Sequence, residues 1–235
     1  MTSEIVVVAA HPDDEVLGCG GMIARRVRSG QKVATLIVAE GATSRDVVRD
    51  SVARHREITA LREAAKEANA VLGVKVLEFG NLPDNRLDSV DRLDVVKLIE
   101  AFVAKHKPQM VLTHHPGDLN IDHQIVSRAV STACRPLPGS QVFSLMFFEV
   151  PSSTEWQTDA HGSVFSPNWY EDIDLTLQVK IEALRRYASE MRPWPHPRSY
   201  EAVEALARWR GASVGRNAAE AFSLARKLVP GDENE

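Results

Sequence analysis

The chain has 235 residues, with 28 Lys and Arg against 32 Asp and Glu, a formal charge of −4, and 44% hydrophobic and 26% charged residues. Such a chain buries a substantial core as one domain, 1–235, and its mild acidity gives no electrostatic footing for nucleic acid or an acidic membrane surface. Its two cysteines, Cys19 and Cys134, are too few and too far apart for a disulfide framework or a cysteine metal cluster, which suits a reducing cytoplasm. The apolar run IVVVAA is short and follows Glu4, so it reads as a first strand and not a signal peptide, and no run reaches membrane-spanning length.

Short β-branched runs alternate with segments of helical period. Strands are expected at 4–10, 32–39, 74–79, 109–114 and 142–150, and helices at about 16–29, 45–72, 89–106 and 122–134. Ser44 reads as an N-cap of the second helix, Gly73 as its C-terminal stop, and Asp122 as a cap for HQIVSRAV. Each helix is long enough for a right-handed crossover, so the fold class is α/β: a doubly wound, mostly parallel sheet core over about 1–150. Residues 151–172 read as loop. A helical extension follows near 175–190, 199–211 and 217–228, interrupted where three prolines in RPWPHPRS exclude continuous helix.

The chemistry gathers at two strand ends. AAHPDDEVLGCGG puts His11, Asp13 and Asp14 just past the first strand, and THHPGDLNIDH puts His114, His115, Asp118, Asn120, Asp122 and His123 just past the fourth. In an open parallel sheet both lie at the carboxyl edge, where ligands bind. His11, Asp14 and a distant His form a two-nitrogen, one-oxygen set that suits Zn²⁺ with an open position for water, and Asp13 is left free as a general base. Taken singly, each acid reads as helix capping or dipole compensation, and each His as a structural hydrogen-bonding residue. Taken jointly, the two clusters point to metal catalysis. GCGG does not match the spacing of a dinucleotide fingerprint, and Gly18, Gly20 and Gly21 read as permitting close packing beneath the site.

AHPDDEVLGCGG with DLNIDH resembles the LmbE and PIG-L family of zinc-dependent de-N-acetylases, and the resemblance continues through LREAAKEANAVLGV, FGNLPDNRLD, VPSSTEW, HPRS and RGASVGRNAAEAF. It implies a Rossmann-like fold, metal ligands at His11, Asp14 and His123, a general base at Asp13, and Asp122 orienting a neighbouring His or the base. It also implies Zn²⁺, replaceable by iron or another divalent ion, a small N-acetylated sugar or glycoconjugate of N-acetylglucosamine type as substrate, and a homo-oligomer, trimeric or hexameric. Many members carry a His where this chain has Asn120. An amide can donate to an oxyanion but cannot shuttle a proton, so Asp13 is expected to act as base and then as acid, with His196 as a second candidate acid. Arg62, Arg86, Arg198 and His115 are candidate substrate contacts; a solvated helix face for Arg62 and a turn with an internal ion pair around Arg86 are the competing readings. The alternatives in function are a metal amidase on a non-sugar, thiol-glycoside or antibiotic intermediate, and a non-catalytic sugar- or nucleotide-binding module.

Overall fold

The computed structural model describes residues 3–158, 164–229 and 231. A seven-stranded sheet in the order β3-β2-β1-β4-β5-β7-β6 is its centre. Strands β1 (Ile5–Ala9), β2 (Val33–Ala39), β3 (Val76–Leu82), β4 (Met110–His114) and β5 (Ser144–Phe148) are parallel, and β7 (Ala219–Lys227) runs antiparallel between β5 and β6 (Trp169–Asp172).

Strand β1 is buried along its whole length because both its faces are covered, which is why its sequence is continuously apolar and not alternating. Ile5 and Val7 face a core shared with α1 (Asp14–Arg28), α2 (His55–Leu72), α5 (Leu177–Arg186) and α6 (Tyr200–Ala212); Val6 and Val8 face the opposite core, under α3 (Arg92–His106) and α4 (Ile121–Ala133). The chain runs outward from β1 through β2 to β3 and then crosses back to β4 on the other side of β1. The switch point therefore lies between the carboxyl ends of β1 and β4, where the two polar clusters emerge.

Several boundaries differ from the sequence expectation. Helix α2 begins at His55, and Ser44 lies in a 3-10 turn, Thr43–Arg45, instead of capping the helix. The Asp50 carboxylate accepts from the Val52 and Ala53 amides, a turn that delays the helix. Gly73 ends α2 in the left-handed conformation at φ 82, as expected of a C-terminal glycine. Helix α4 is capped by Asn120, whose Oδ1 accepts from the Asp122 amide, so Asp122 sits inside the first turn with its carboxylate free for other partners. Segment 151–172 contains a 3-10 turn, Thr154–Trp156, and the edge strand β6; 159–163 fall outside the described residues.

The largest correction is at 217–228, where AEAFSLARK forms strand β7 and not a helix. Its Ala, Glu, Leu, Arg and Lys favour helix locally, but hydrogen bonding to both β5 and β6 overrides propensity. Among the described residues the extension is thus two helices and two strands.

Helix α1 is broken at Cys19, with φ −148 and ψ 21. Ideal Cβ atoms at Gly18 and Gly21 would lie 2.3 Å from a Phe148 ring carbon and 2.7 Å from Ile173, so glycines are needed for this approach to β5 and the segment after β6. The break frees backbone groups that the extension satisfies: Glu220 accepts from the Gly21 and Met22 amides at 2.9 and 2.7 Å, and Lys180 donates to Leu17 O and to Glu220, both at 2.7 Å.

Candidate metal centre and active site

The HPDD turn follows β1, with Asp13 in the left-handed region at φ 111 and ψ −30, sparsely populated for a residue with a Cβ. The Ala10 amide donates to His114 Nε2 at 2.8 Å, tying the end of β1 to the end of β4. That bond commits His114 Nε2 as an acceptor. Its ring stacks on His123 at 3.9 Å between centroids and supports that residue.

Three inward-facing atoms form a nearly equilateral triangle. His11 Nδ1 and Asp14 Oδ2 are 3.3 Å apart, Asp14 Oδ2 and His123 Nε2 are 3.2 Å apart, and His123 Nε2 and His11 Nδ1 are 3.3 Å apart. Ligand bonds of about 2.0–2.1 Å at tetrahedral angles put donors about 3.3–3.4 Å from one another, so these three fit a zinc-sized cation with a position left over. Asp14 Oδ1 is buried without a hydrogen-bond partner, a state that a cation beside the carboxylate compensates. His11, Asp14 and His123 are accordingly a possible metal site.

Carboxylates stand behind both histidines. Asp122 Oδ2 lies 2.9 Å from His11 Nε2, and this carboxylate also accepts from the Asn85 and Leu87 amides at 2.7 and 2.9 Å. Asp84 Oδ1 is 3.4 Å from the same nitrogen. Asp118 Oδ1 is 3.1 Å from His123 Nδ1; this carboxylate also accepts from Ser153, from Thr154 at 2.6 Å and from the Asn120 amide at 2.8 Å. An acid behind each ring keeps the outer nitrogen protonated and turns the inner lone pair toward the triangle.

The buried imidazoles and carboxylates of this cluster shift one another strongly. Burial would lower His123, but the charges of Asp14 and Asp118 raise it to about 9. Burial likewise opposes the rise of His11, which bonds to Asp122 and Asp14 carry well above the ordinary imidazole value. Burial would raise Asp14, yet His123 and His11 hold it well below the usual carboxylate range. Asp118, against its burial, is brought to about 2 by His123 and the two hydroxyls. His114 moves the other way, lowered well below the imidazole range by burial and by the charge of His123.

Asp13 is 1% exposed, and its Oδ2 accepts from Arg198 Nη1 at 2.9 Å. Burial pushes this carboxyl up to about 8, against the pull of Arg198; a divalent cation held by the adjacent triangle would draw it back down. Arg198 also donates from Nε to Ser152 Oγ at 2.7 Å and from its amide to His196 Nδ1 at 3.0 Å. The His196 ring lies edge-on to Trp156, 5.7 Å between centroids.

The other sequence candidates spread around this centre. Asn120 caps α4 through Oδ1 and donates from Nδ2 to Asn85 Oδ1 at 2.8 Å. Arg62 donates to Asn81 and lies over the Phe79 ring; beside it is a cavity of about 370 Å³ whose lining mixes Glu40, Arg49, His55 and Thr59 with Val52 and Ile58. Arg86 donates to the carbonyls of Asp46 and Val47, not to Asp84, and so ties down the loop before α2. His115 is buried edge-on to Phe165. Sequence reasoning missed Asp84 behind His11, the hydroxyls of Ser153 and Thr154 on Asp118, and the contact of Arg198 with Asp13. The adjacent Ser and Thr in VPSSTEW were the available signal for the hydroxyls; the others have none short of the fold.

Residues 6–134, more than half of the chain, match the model of the PIG-L family, described as GlcNAc-PI de-N-acetylase. The uncharacterized deacetylase YaiS of Escherichia coli K12 is 28% identical over 191 residues, 79% of this chain and 90% of that protein. Diacetylchitobiose deacetylase of Thermococcus kodakarensis is 28% identical over 244 residues, 97% of this chain and 84% of that one. In fold, GalB, the 4-carboxy-2-hydroxymuconate hydratase of Pseudomonas putida KT2440, superposes with a TM-score of 0.75 at 22% identity over 99% of both chains. The chain belongs to the PIG-L, or LmbE, family of deacetylases.

Proposed function

We propose that this protein is a zinc-dependent hydrolase that releases acetate from an N-acetylated amino sugar or glycoconjugate of the N-acetylglucosamine type. The observation that carries the reading is the triangle of His11 Nδ1, Asp14 Oδ2 and His123 Nε2, with the Asp13 carboxylate alongside it in the same turn. When bound, the cation supplies Lewis-acid activation of a water near neutral pH.

Asp13 does the proton work. Arg198 holds Oδ2, which leaves Oδ1 to take the proton from the attacking water and return it to the departing amine. Asn120 retains one amide hydrogen beyond its bond to Asn85, and this hydrogen meets the developing oxyanion. Asp122 keeps His11 aimed at the cation. His196 is the second candidate acid, held by Arg198 and Trp156. Arg62 faces sugar hydroxyls from the cavity beyond β2, with Arg86 and His115 as further contacts. A homo-oligomer in the cytoplasm completes the proposal; among the described residues no helix is long and apolar enough to cross a membrane.

The test is acetate release from a panel of N-acetylhexosamines, nucleotide sugars and acylated thiol glycosides, with and without a chelator. Chelator-sensitive acetate release with stoichiometric zinc supports the reading. Turnover of an unsaturated acid without acetate release would replace it with the hydratase chemistry named for GalB, and ligand binding indifferent to chelation would replace it with a binding module.

A further inference from the structure

Three buried residues on three separate elements meet behind Asp13. Glu15 Oε2 accepts from the Asp13 amide at 3.1 Å, and Glu15 Oε1 accepts from Asn69 Nδ2 on α2 at 3.0 Å and from the Tyr187 hydroxyl at the end of α5 at 2.7 Å. Glu15 and Tyr187 are fully buried, and Asn69 is 1% exposed. None of these three reaches the substrate crevice through a contact of its own. A buried carboxylate with buried hydroxyl and amide partners is an expensive way to fill a core where an apolar residue would pack as well.

Two details set this cluster apart from ordinary packing. Asp13 is the one residue of the HPDD turn held at positive φ, and its amide is the group that Glu15 accepts from. A conformation of that kind persists only when its surroundings over-determine it. Asn69 uses its amide hydrogens on Glu15 and Ala65 O, while its own Oδ1 is buried without a partner. The position thus keeps a donor toward Glu15 at the cost of an orphaned acceptor.

We propose that Tyr187 and Asn69, acting through Glu15, are positioning residues for Asp13. They fix the Glu15 carboxylate, Glu15 fixes the Asp13 peptide, and the peptide sets where the carboxylate of the base stands relative to the metal triangle. Arg198 holds the same residue by its side chain, so the base is clamped at both backbone and carboxylate. The assignment of Asp13 as base rests on the function proposed above, whereas the clamp on its peptide does not.

The experiment compares wild type with Tyr187→Phe and Asn69→Ala. Hydrogen exchange is read on the peptide covering residues 9–17, and kcat and KM are measured on whichever panel compound releases acetate. The expected result is exchange at the Asp13 amide faster by about tenfold, the scale of one lost charge-assisted hydrogen bond, with bound metal and exchange elsewhere unchanged. kcat should fall by about tenfold with KM unchanged. Unchanged exchange and unchanged kcat in both variants would overturn the proposal, as would a molecule-wide rise in exchange with kcat and KM moving together, the sign of a general packing role. If wild type releases no acetate from any compound, the functional reading fails while the exchange result still decides the clamp.

Discussion

Replacing Arg198 by Met separates two roles for this residue, contact with substrate or control of the base. The guanidinium lies 2.9 Å from the Asp13 carboxylate, whose own exposure is negligible. Charges about 4 Å apart at an effective dielectric of about 20 interact by about 4 kcal/mol, equivalent to about three pKa units. Arg198 is 24% exposed, so solvent removes part of this and about two units remain. Because Arg198 lowers the pKa of Asp13, its loss raises it, and the acid limb of the kcat–pH profile moves about two units toward alkaline pH. Below the wild-type acid limb the variant should be slower by about a hundredfold, with the deficit closing as pH rises past the variant's own limb and KM unchanged. Arg198→Lys should recover part of the shift, since it keeps the charge without the planar fork. An acid limb that stays in place while KM rises would refute the reasoning and make Arg198 a sugar contact.

Metal affinity should weaken as pH falls through about 9, because metal-free His123 then takes up a proton that the cation must displace. The fall should be about tenfold per pH unit for each displaced proton, measured by chelator competition; an affinity flat in pH would remove His123 from the ligand set. His196→Ala should leave the rate–pH profile unchanged, since its Nδ1 is engaged by the Arg198 amide and its ring by Trp156; loss of the alkaline limb alone would instead make His196 the acid. Gly18→Ala should destabilise by about 1–3 kcal/mol, because its Cβ would meet the buried Phe148 ring at 2.3 Å; a urea midpoint equal to wild type would contradict that packing.

The parts of the structure legible in the sequence are those decided locally or by a dominant chemical demand. IVVVAA announces a strand covered on both faces, and Gly73 announces a helix end, because each carries its own cause. His11, Asp14 and His123 stand out because a His/Asp set of metal-ligand type gathers at strand ends, where the topology brings them together as a possible metal site. AEAFSLARK misleads because its strand state depends on β5 and β6, partners distant in the chain. Asp13 and Arg198 are 185 positions apart, and an arginine beside prolines has too many ordinary uses for sequence to select one. Asn120, conspicuous as a departure from the resembled pattern, is explained in part by capping: an amide serves as well as any residue in satisfying the first turn of α4.

The family match, over residues 6–134, contains all three triangle residues. The remaining two fifths of the chain are more than a cover for the sheet. Arg198 reaches the Asp13 carboxylate, Tyr187 reaches Glu15 behind the Asp13 amide, and Ser153 and Thr154 reach Asp118 behind His123. Lys180 and Glu220 close the break in α1 one turn below Asp14. The possible metal site is therefore framed at the β1–β4 switch point, whereas the stance of Asp13 depends on residues beyond 150. Changes in the extension should accordingly divide by what they touch. Those at Ser153 and Thr154 act on metal affinity through His123, and those at Tyr187 and Arg198 act on turnover with metal still bound.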